Sequence, residues 1–193
     1  VLLQYFYRCS NIYTTLNEIK PKKPVCKRCI IMEERGLTQI YCGPGKGKTS
    51  VAIGQAVRAV GYGKRAIVIQ FLKGKATTQL DYLSVLEPDI RLFRFEKKDK
   101  YYEDLTEEEK QEENLNIRNG LNFARKVLIT EECEMLILDE ILSALELGIV
   151  SEDEVKGLIE AKDDETELIL TGTMITDALK DAADRVVSLE IIK

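Results

Sequence analysis

The stretch that most limits what this chain can become is GPGKGKTS, Gly43–Ser50. Its three alternating glycines let a backbone turn tightly, adopt positive φ and pass close to a ligand without Cβ clashes. The G-K-T ending matches a phosphate-binding loop, in which backbone N–H groups point inward and the following helix adds its positive N-terminal end. Gly43, Gly45 and Gly47 form that cradle. Lys48 supplies a mobile positive charge for phosphate oxygens, Lys46 adds a second cation, and Thr49 offers a hydroxyl to a magnesium ion. The common loop reads G-x-x-x-x-G-K-[ST]. Here the fifth place before Gly47 is Cys42, so the loop is one residue short: G-x-x-x-G-K-T.

Such a loop needs a strand before it and a helix after it, and the periodicity supplies both. Leu37–Cys42 (LTQIYC) reads as a strand, and Lys48–Val60 as a helix closed by Gly61. Arg65–Phe71 (RAIVIQF) is nearly all apolar, as expected of a strand buried on both faces. Ile90–Phe95 (IRLFRF) alternates apolar and basic residues and predicts a weaker strand. Thr106 with Glu109 forms a T-x-x-E capping box that opens a long helix toward Val127, and Ser151 with Glu154 opens another through Ala161. Met135–Asp139 (MLILD) and Glu167–Leu170 (ELIL) predict buried strands, Ile175–Ala183 a short helix, and Arg185–Ile191 a last strand. Regular alternation of strands and helices predicts an α/β fold, a mostly parallel sheet with helices on both faces.

Ligands of such sheets sit at the carboxyl ends of the strands. Both the glycine loop after Cys42 and the acids Asp139 and Glu140 after Leu138 fall there. A carboxylate delivered beside a phosphate loop can hold Mg²⁺ directly or through water, and either acid can take that role.

Composition removes several chemistries. The chain has no histidine, which excludes Ser-His-Asp and Cys-His enzymes and histidine metal sites. No apolar run reaches the ~18 residues of a membrane helix, so no membrane association is expected. Five cysteines in 193 residues make no disulfide framework, which predicts a reducing, cytoplasmic setting. Cys26 and Cys29 form a C-x-x-C pair with no second pair to complete a zinc site, while Cys42 and Cys133 read as core residues. Residues 1–31 hold six basic side chains and one acid, a net +5, against −10 for the rest, given −5 overall. That basic arm lacks helical or strand period. It predicts a disordered or non-native extension before a domain spanning 32–193, with Met32 placed as a natural start. The acidic body argues against nucleic acid as a partner.

From Arg35 to Lys193 the chain resembles the P-loop type of ATP:corrinoid adenosyltransferase, the cob(I)alamin adenosyltransferases. The resemblance is carried by RGLTQIYCGPGKGKTS, RAVGYGKRAIVIQFLKGK, LTEEEK, LILDEILSALELGIVS, ELILTGT and DAADRVVSLEIIK, in that order and at matching spacing. The family's loop, typically G-N-G-K-G-K-T-T, lacks the same residue, so the shortening is a family mark. The resemblance implies a P-loop NTPase (RecA-like) architecture and a homodimer. It also implies transfer of the 5′-deoxyadenosyl group of ATP to the cobalt(I) of a corrinoid, with release of triphosphate and with a reductase supplying cobalt(I).

By position in the family's motifs, Ser50 is a further hydroxyl contact, and Arg58, Gln70 and Lys73 belong to the nucleotide site. Tyr101 and Tyr102 are the aromatic candidates for the corrinoid. The catalytic load falls on Lys48 and Lys46, with Mg²⁺ on Thr49 and Asp139 or Glu140. Three positions depart from the pattern. Pro44 stands for the loop's asparagine and removes one N–H; Thr173 stands for an arginine; and Tyr62 stands where histidine is frequent. The family's closing lysine-histidine pair and glycine-containing segment do not occur before Lys193. A P-loop NTPase or small-molecule kinase, and a non-catalytic ATP- or corrinoid-binding relative, are the alternatives.

Overall fold

Six parallel strands form one sheet in the order β3-β2-β4-β5-β1-β6: β1 (Thr38–Cys42), β2 (Ala66–Gln70), β3 (Ile90–Arg94), β4 (Met135–Asp139), β5 (Glu167–Thr171) and β6 (Arg185–Ser188). They are seen in a computed structural model that describes residues 35–72, 78–95, 98 and 100–193. Lys73, the arm with Cys9, Cys26 and Cys29, and Met32 lie outside the described residues.

The burial of each strand follows its sequence. β1, β2 and β4 are buried at every position, as central strands covered on both faces must be, whereas β6 is exposed at every position on one edge. β3, on the other edge, keeps Arg91 and Arg94 half-buried. β6 is three residues shorter than its apolar run suggests. The Leu189 N–H still donates to the Cys42 carbonyl of β1 at 2.8 Å, but the Leu189 carbonyl turns to the phosphate loop.

Strand periodicity sorts the core into two layers. Ile40, Ile67, Ile69, Leu136, Leu138, Leu168 and Leu170 point to one face, under α2 (Glu107–Ile129), α3 (Ile141–Glu146), α4 (Glu152–Ala161) and α5 (Asp177–Ala182). Tyr41, Val68, Ile137 and Ile169 point to the other, against α1 (Lys48–Gly61) and a 3₁₀ segment, Thr78–Leu86, that inserts Leu83. Helices therefore cover both faces, although α1 is the sole α-helix on its side among the described residues. Alanines 52, 56 and 59 on the buried side of α1 let the helix lie close to the sheet.

Local signals set the helix ends. Thr106 with Glu109 and Ser151 with Glu154 close complete capping boxes on α2 and α4. α1 runs through Gly61; the left-handed residue that stops it is Gly63 at φ +80°, whose N–H caps the carbonyl of Val60. The short helix near residue 177 begins two residues later than its apolar pattern suggests, because Thr176 caps it by accepting from the Leu179 N–H. The 3₁₀ segment and α3 carry no comparable signal. Among the described residues no helix is long and apolar enough to cross a membrane. Cys42 and Cys133 are buried free thiols, as a core role requires.

Candidate active site

The loop between β1 and α1 is shaped by the strands on either side of it. The Gly43 N–H donates to the Thr173 carbonyl at 2.9 Å, and the Gly45 N–H to the Leu189 carbonyl at 2.9 Å. Glycine is required at both places. A Cβ on Gly43 would lie 2.5 Å from the Leu189 carbonyl oxygen, and one on Gly45 would lie 2.6 Å from it. Gly43 also sits at φ +105°. With those two amides engaged and Pro44 lacking one, the donors left for an anion begin at Lys46 and run into the first turn of α1. Lys46 and Ser50 are exposed there, and Gly47, at φ +104°, leads into the helix without a side-chain cap. The short loop thus leaves only its second half with free backbone donors for an anion.

Lys48 is buried with its ammonium curled back on the loop, donating to the carbonyls of Gly43 at 2.8 Å and Gly45 at 3.0 Å. Those carbonyls hold the cation at the mouth of the cradle.

The acid arrives from two strands away, since β5 lies between β1 and β4. Asp139 is fully buried and satisfied by three side chains. Thr49 Oγ1 donates to its Oδ1 at 2.9 Å and Oδ2 at 3.1 Å, Thr171 Oγ1 to Oδ1 at 2.8 Å, and Gln70 Nε2 to Oδ2 at 3.0 Å. A buried carboxylate is tolerated because these donors replace its lost water. Asp139, not Glu140, meets Thr49. Glu140 turns away in the left-handed region at φ +65°, its N–H donating to Thr171 Oγ1 at 2.8 Å and its carboxylate accepting from Ser143 Oγ at 2.6 Å. A threonine hydroxyl beside a fully buried carboxylate, at the rim of a phosphate loop, is the hard-oxygen donor set that Mg²⁺ takes.

Thr171 is absent from the sequence reading, yet it fastens both acids at once. Its signal is small: a single hydroxyl ends the apolar run ELILT, as Gln70 ends AIVIQ and Asp139 ends MLILD. Thr173 supplies its carbonyl to the loop, while its hydroxyl donates to Glu146 at 2.7 Å.

The remaining expected residues are more scattered. Arg58 lies in the last turn of α1, exposed, ten residues beyond Lys48 and so about 15 Å along the axis at 1.5 Å per residue. Its Nε donates to Gln55 at 3.0 Å, and Gln55 donates to the Tyr41 hydroxyl at 3.3 Å, so the fold ties Arg58 to β1 and not to the loop. Tyr102 is part-buried, donating to Asn114 Oδ1 at 2.8 Å, in a recess lined also by Leu72, Lys98, Lys100, Leu105 and Glu113. Leu72 places that recess just beyond Gln70. Tyr101 is 53% exposed and does not line it.

The chain is similar to known proteins in sequence and in fold. Residues 34–193 match the family model of the ATP:corrinoid adenosyltransferases BtuR/CobO/CobP. A corrinoid adenosyltransferase of Pseudomonas aeruginosa is 29% identical over 83% of this chain and 78% of its own length. The corrinoid adenosyltransferase CobA of Salmonella typhimurium is 30% identical over 83% of this chain and 80% of its own. Among solved structures, a KaiC-like protein from Pyrococcus horikoshii OT3 superposes with a TM-score of 0.52 at 17% identity, covering 82% of this chain and 75% of that one, a likeness of fold. A parallel sheet that carries a shortened phosphate loop and a buried aspartate, together with a match across 34–193, places this chain in the ATP:corrinoid adenosyltransferase family.

Proposed function

We propose that this protein transfers the 5′-deoxyadenosyl group of ATP to the cobalt(I) of a corrinoid, releasing triphosphate, in adenosylcobalamin synthesis or salvage. The observation that carries the reading is the pairing of the one-residue-short loop with Asp139 across β5, in a chain of this family. The reaction forms a cobalt–carbon bond with the electron pair of cobalt(I) and breaks the bond between C5′ and the triphosphate oxygen, which leaves with its own pair. The nucleophile needs no general base, so a chain without histidine lacks nothing the step demands.

What the protein must supply is charge for the leaving triphosphate. Lys48, released from the Gly43 and Gly45 carbonyls, turns to phosphate oxygens, and Lys46, Ser50 and the amides from residue 46 onward complete the cradle. Thr49 and Asp139 would hold Mg²⁺, which supplies charge neutralisation on the triphosphate. Gln70 and Thr171 keep the Asp139 carboxylate turned toward Thr49. Tyr102 and its recess offer an apolar and cationic surface for the corrinoid beyond the end of β2. Family membership supports a cytoplasmic homodimer supplied with cobalt(I) by a reductase.

The test combines the purified protein with ATP, Mg²⁺ and chemically reduced cob(I)alamin under anaerobic conditions. The expected products are adenosylcobalamin and equimolar triphosphate. ADP and phosphate over an unchanged corrinoid spectrum would overturn the reading in favour of an NTPase.

A further inference from the structure

The last residues of neighbouring strands form one continuous polar row. Register pairs Arg94 at the end of β3 with Gln70 at the end of β2, and Gln70 with Asp139 at the end of β4. Each pairing is also a side-chain bond. Arg94 Nε donates to Gln70 Oε1 at 3.2 Å, and Gln70 Nε2 donates to Asp139 Oδ2 at 3.0 Å. At the outer end, Arg94 Nη2 donates to Asp81 Oδ1 of the 3₁₀ segment at 2.9 Å. The row therefore runs from the half-exposed edge of the sheet to a carboxylate with no exposure at all.

The chemistry of the middle member gives the row a direction. A glutamine amide has one accepting end and one donating end, similar in shape and opposite in polarity. Facing a buried carboxylate, only the NH₂ end is favourable; the carbonyl end would oppose charge with lone pairs. A bond from a guanidinium to Oε1 selects the correct orientation, because a cation cannot accept from the NH₂ end. The fork of Arg94 uses Nε for Gln70 and Nη2 for Asp81, so the carboxylate on the outside fixes the plane of the guanidinium on the inside.

We propose that Arg94 is a positioning residue of the metal and nucleotide site. Through Gln70 it holds Asp139 in the orientation that Thr49 and a divalent cation require, standing one residue removed from the carboxylate. This rests on the reading that Mg²⁺ and ATP share the loop with Asp139. Partners one shell out from a metal typically change its affinity by about 10- to 100-fold when removed. Arg94 acts through one intermediary, so about tenfold is expected.

The experiment measures equilibrium binding of ATP by calorimetry, with Mg²⁺ and with EDTA, for wild type, Arg94→Met, Gln70→Met and the double variant. Thermal unfolding without ligand serves as the folding control. The expected result is that Arg94→Met lowers the Mg²⁺-dependent gain in ATP affinity by about tenfold and leaves Mg²⁺-free binding unchanged. Gln70→Met should do the same or more, and the double variant should be no worse than Gln70→Met, since the two act in series. Arg94→Lys, which cannot serve Gln70 and Asp81 at once with a planar fork, should recover only part of the gain.

Three results would overturn the proposal: a wild-type Mg²⁺ response in Arg94→Met, an equal loss with and without Mg²⁺ (a direct phosphate contact), or full additivity in the double variant. A wild type whose ATP binding ignores Mg²⁺ would instead refute the site reading itself.

Discussion

Replacing Thr171 by valine keeps the shape of a fully buried side chain and removes one hydroxyl. That hydroxyl donates to Asp139 at 2.8 Å and accepts the Glu140 N–H at 2.8 Å. Loss of a hydrogen bond to a charged group costs about 1.5–3 kcal/mol, and an unanswered part-buried N–H about 1–3 kcal/mol. Thr49 still donates to the same carboxylate oxygen, which offsets part of the first cost. The sum expected for Thr171→Val is about 3 kcal/mol. In a domain of this size that lowers the melting temperature by about 6–12 °C. Thr171→Ser keeps the hydroxyl and loses a methyl, at about 1 kcal/mol. Urea unfolding of the three proteins, read with the adenosylation rate, checks the reasoning. The rate should fall steeply in the valine variant and stay near wild type in the serine variant. Valine unfolding within about 0.5 kcal/mol of wild type, or serine as damaging as valine, would show that the hydroxyl does not fasten the two acids.

Lys48→Ala should reduce triphosphate release by at least about a hundredfold, measured under saturating ATP. Gly45→Ala places a methyl 2.6 Å from the Leu189 carbonyl oxygen, so ATP binding by calorimetry should be lost even though the chain still folds. Arg65 holds the Glu134 carboxyl below its usual range through a side-chain bond at 2.9 Å, helped by the Arg65 backbone N–H. A depressed folded-state value stabilises above the ordinary glutamate range and loses that contribution as pH falls through the depressed value. Glu134→Gln should therefore be less stable than wild type at neutral pH and equal to it in strong acid, by urea midpoints across pH. Burial pushes the Cys133 thiol up to about 12, so mass spectrometry should find it unalkylated at pH 9 in the folded protein and alkylated in urea.

The sequence exposes features that announce themselves locally. Buried strands read as apolar runs, two helix starts read as capping boxes, and the loop and the acid pair Asp139–Glu140 read from residue type and place, although only the fold shows that Asp139 is the one beside Thr49. Features made by strand order stay hidden. Thr171 looks like an ordinary strand former until β5 is seen between β1 and β4, and only then does its hydroxyl face Asp139. Arg94 reads as half of an alternating pattern, with nothing local to show Gln70 beside it. The 3₁₀ segment escapes because its apolar spacing fits neither the helical nor the strand period, and its Leu83 is buried by the sheet beneath it. The end of β6 escapes because Val187 and Ile191 continue an apolar run, while the loop's need for the Leu189 carbonyl decides where the strand stops.

The strand order also sets a timetable for synthesis. β1 leaves the ribosome first, yet its two neighbours are β5 and β6, the last strands to be made. Until residues 167–171 have emerged, β1 has no partner in its final sheet, and until Thr173 and Leu189 follow, the loop after it lacks the two carbonyls that shape it. β2, β3 and β4 can pair among themselves much earlier. The nascent chain thus carries β1 as a segment without its sheet partners while β2, β3 and β4 are made, exposed to the edge-pairing that causes aggregation. On the proposed function, nucleotide would be gripped only after β6 has docked and the Leu189 carbonyl shapes the loop, so ATP binding would report a completed sheet and stabilise nothing short of it.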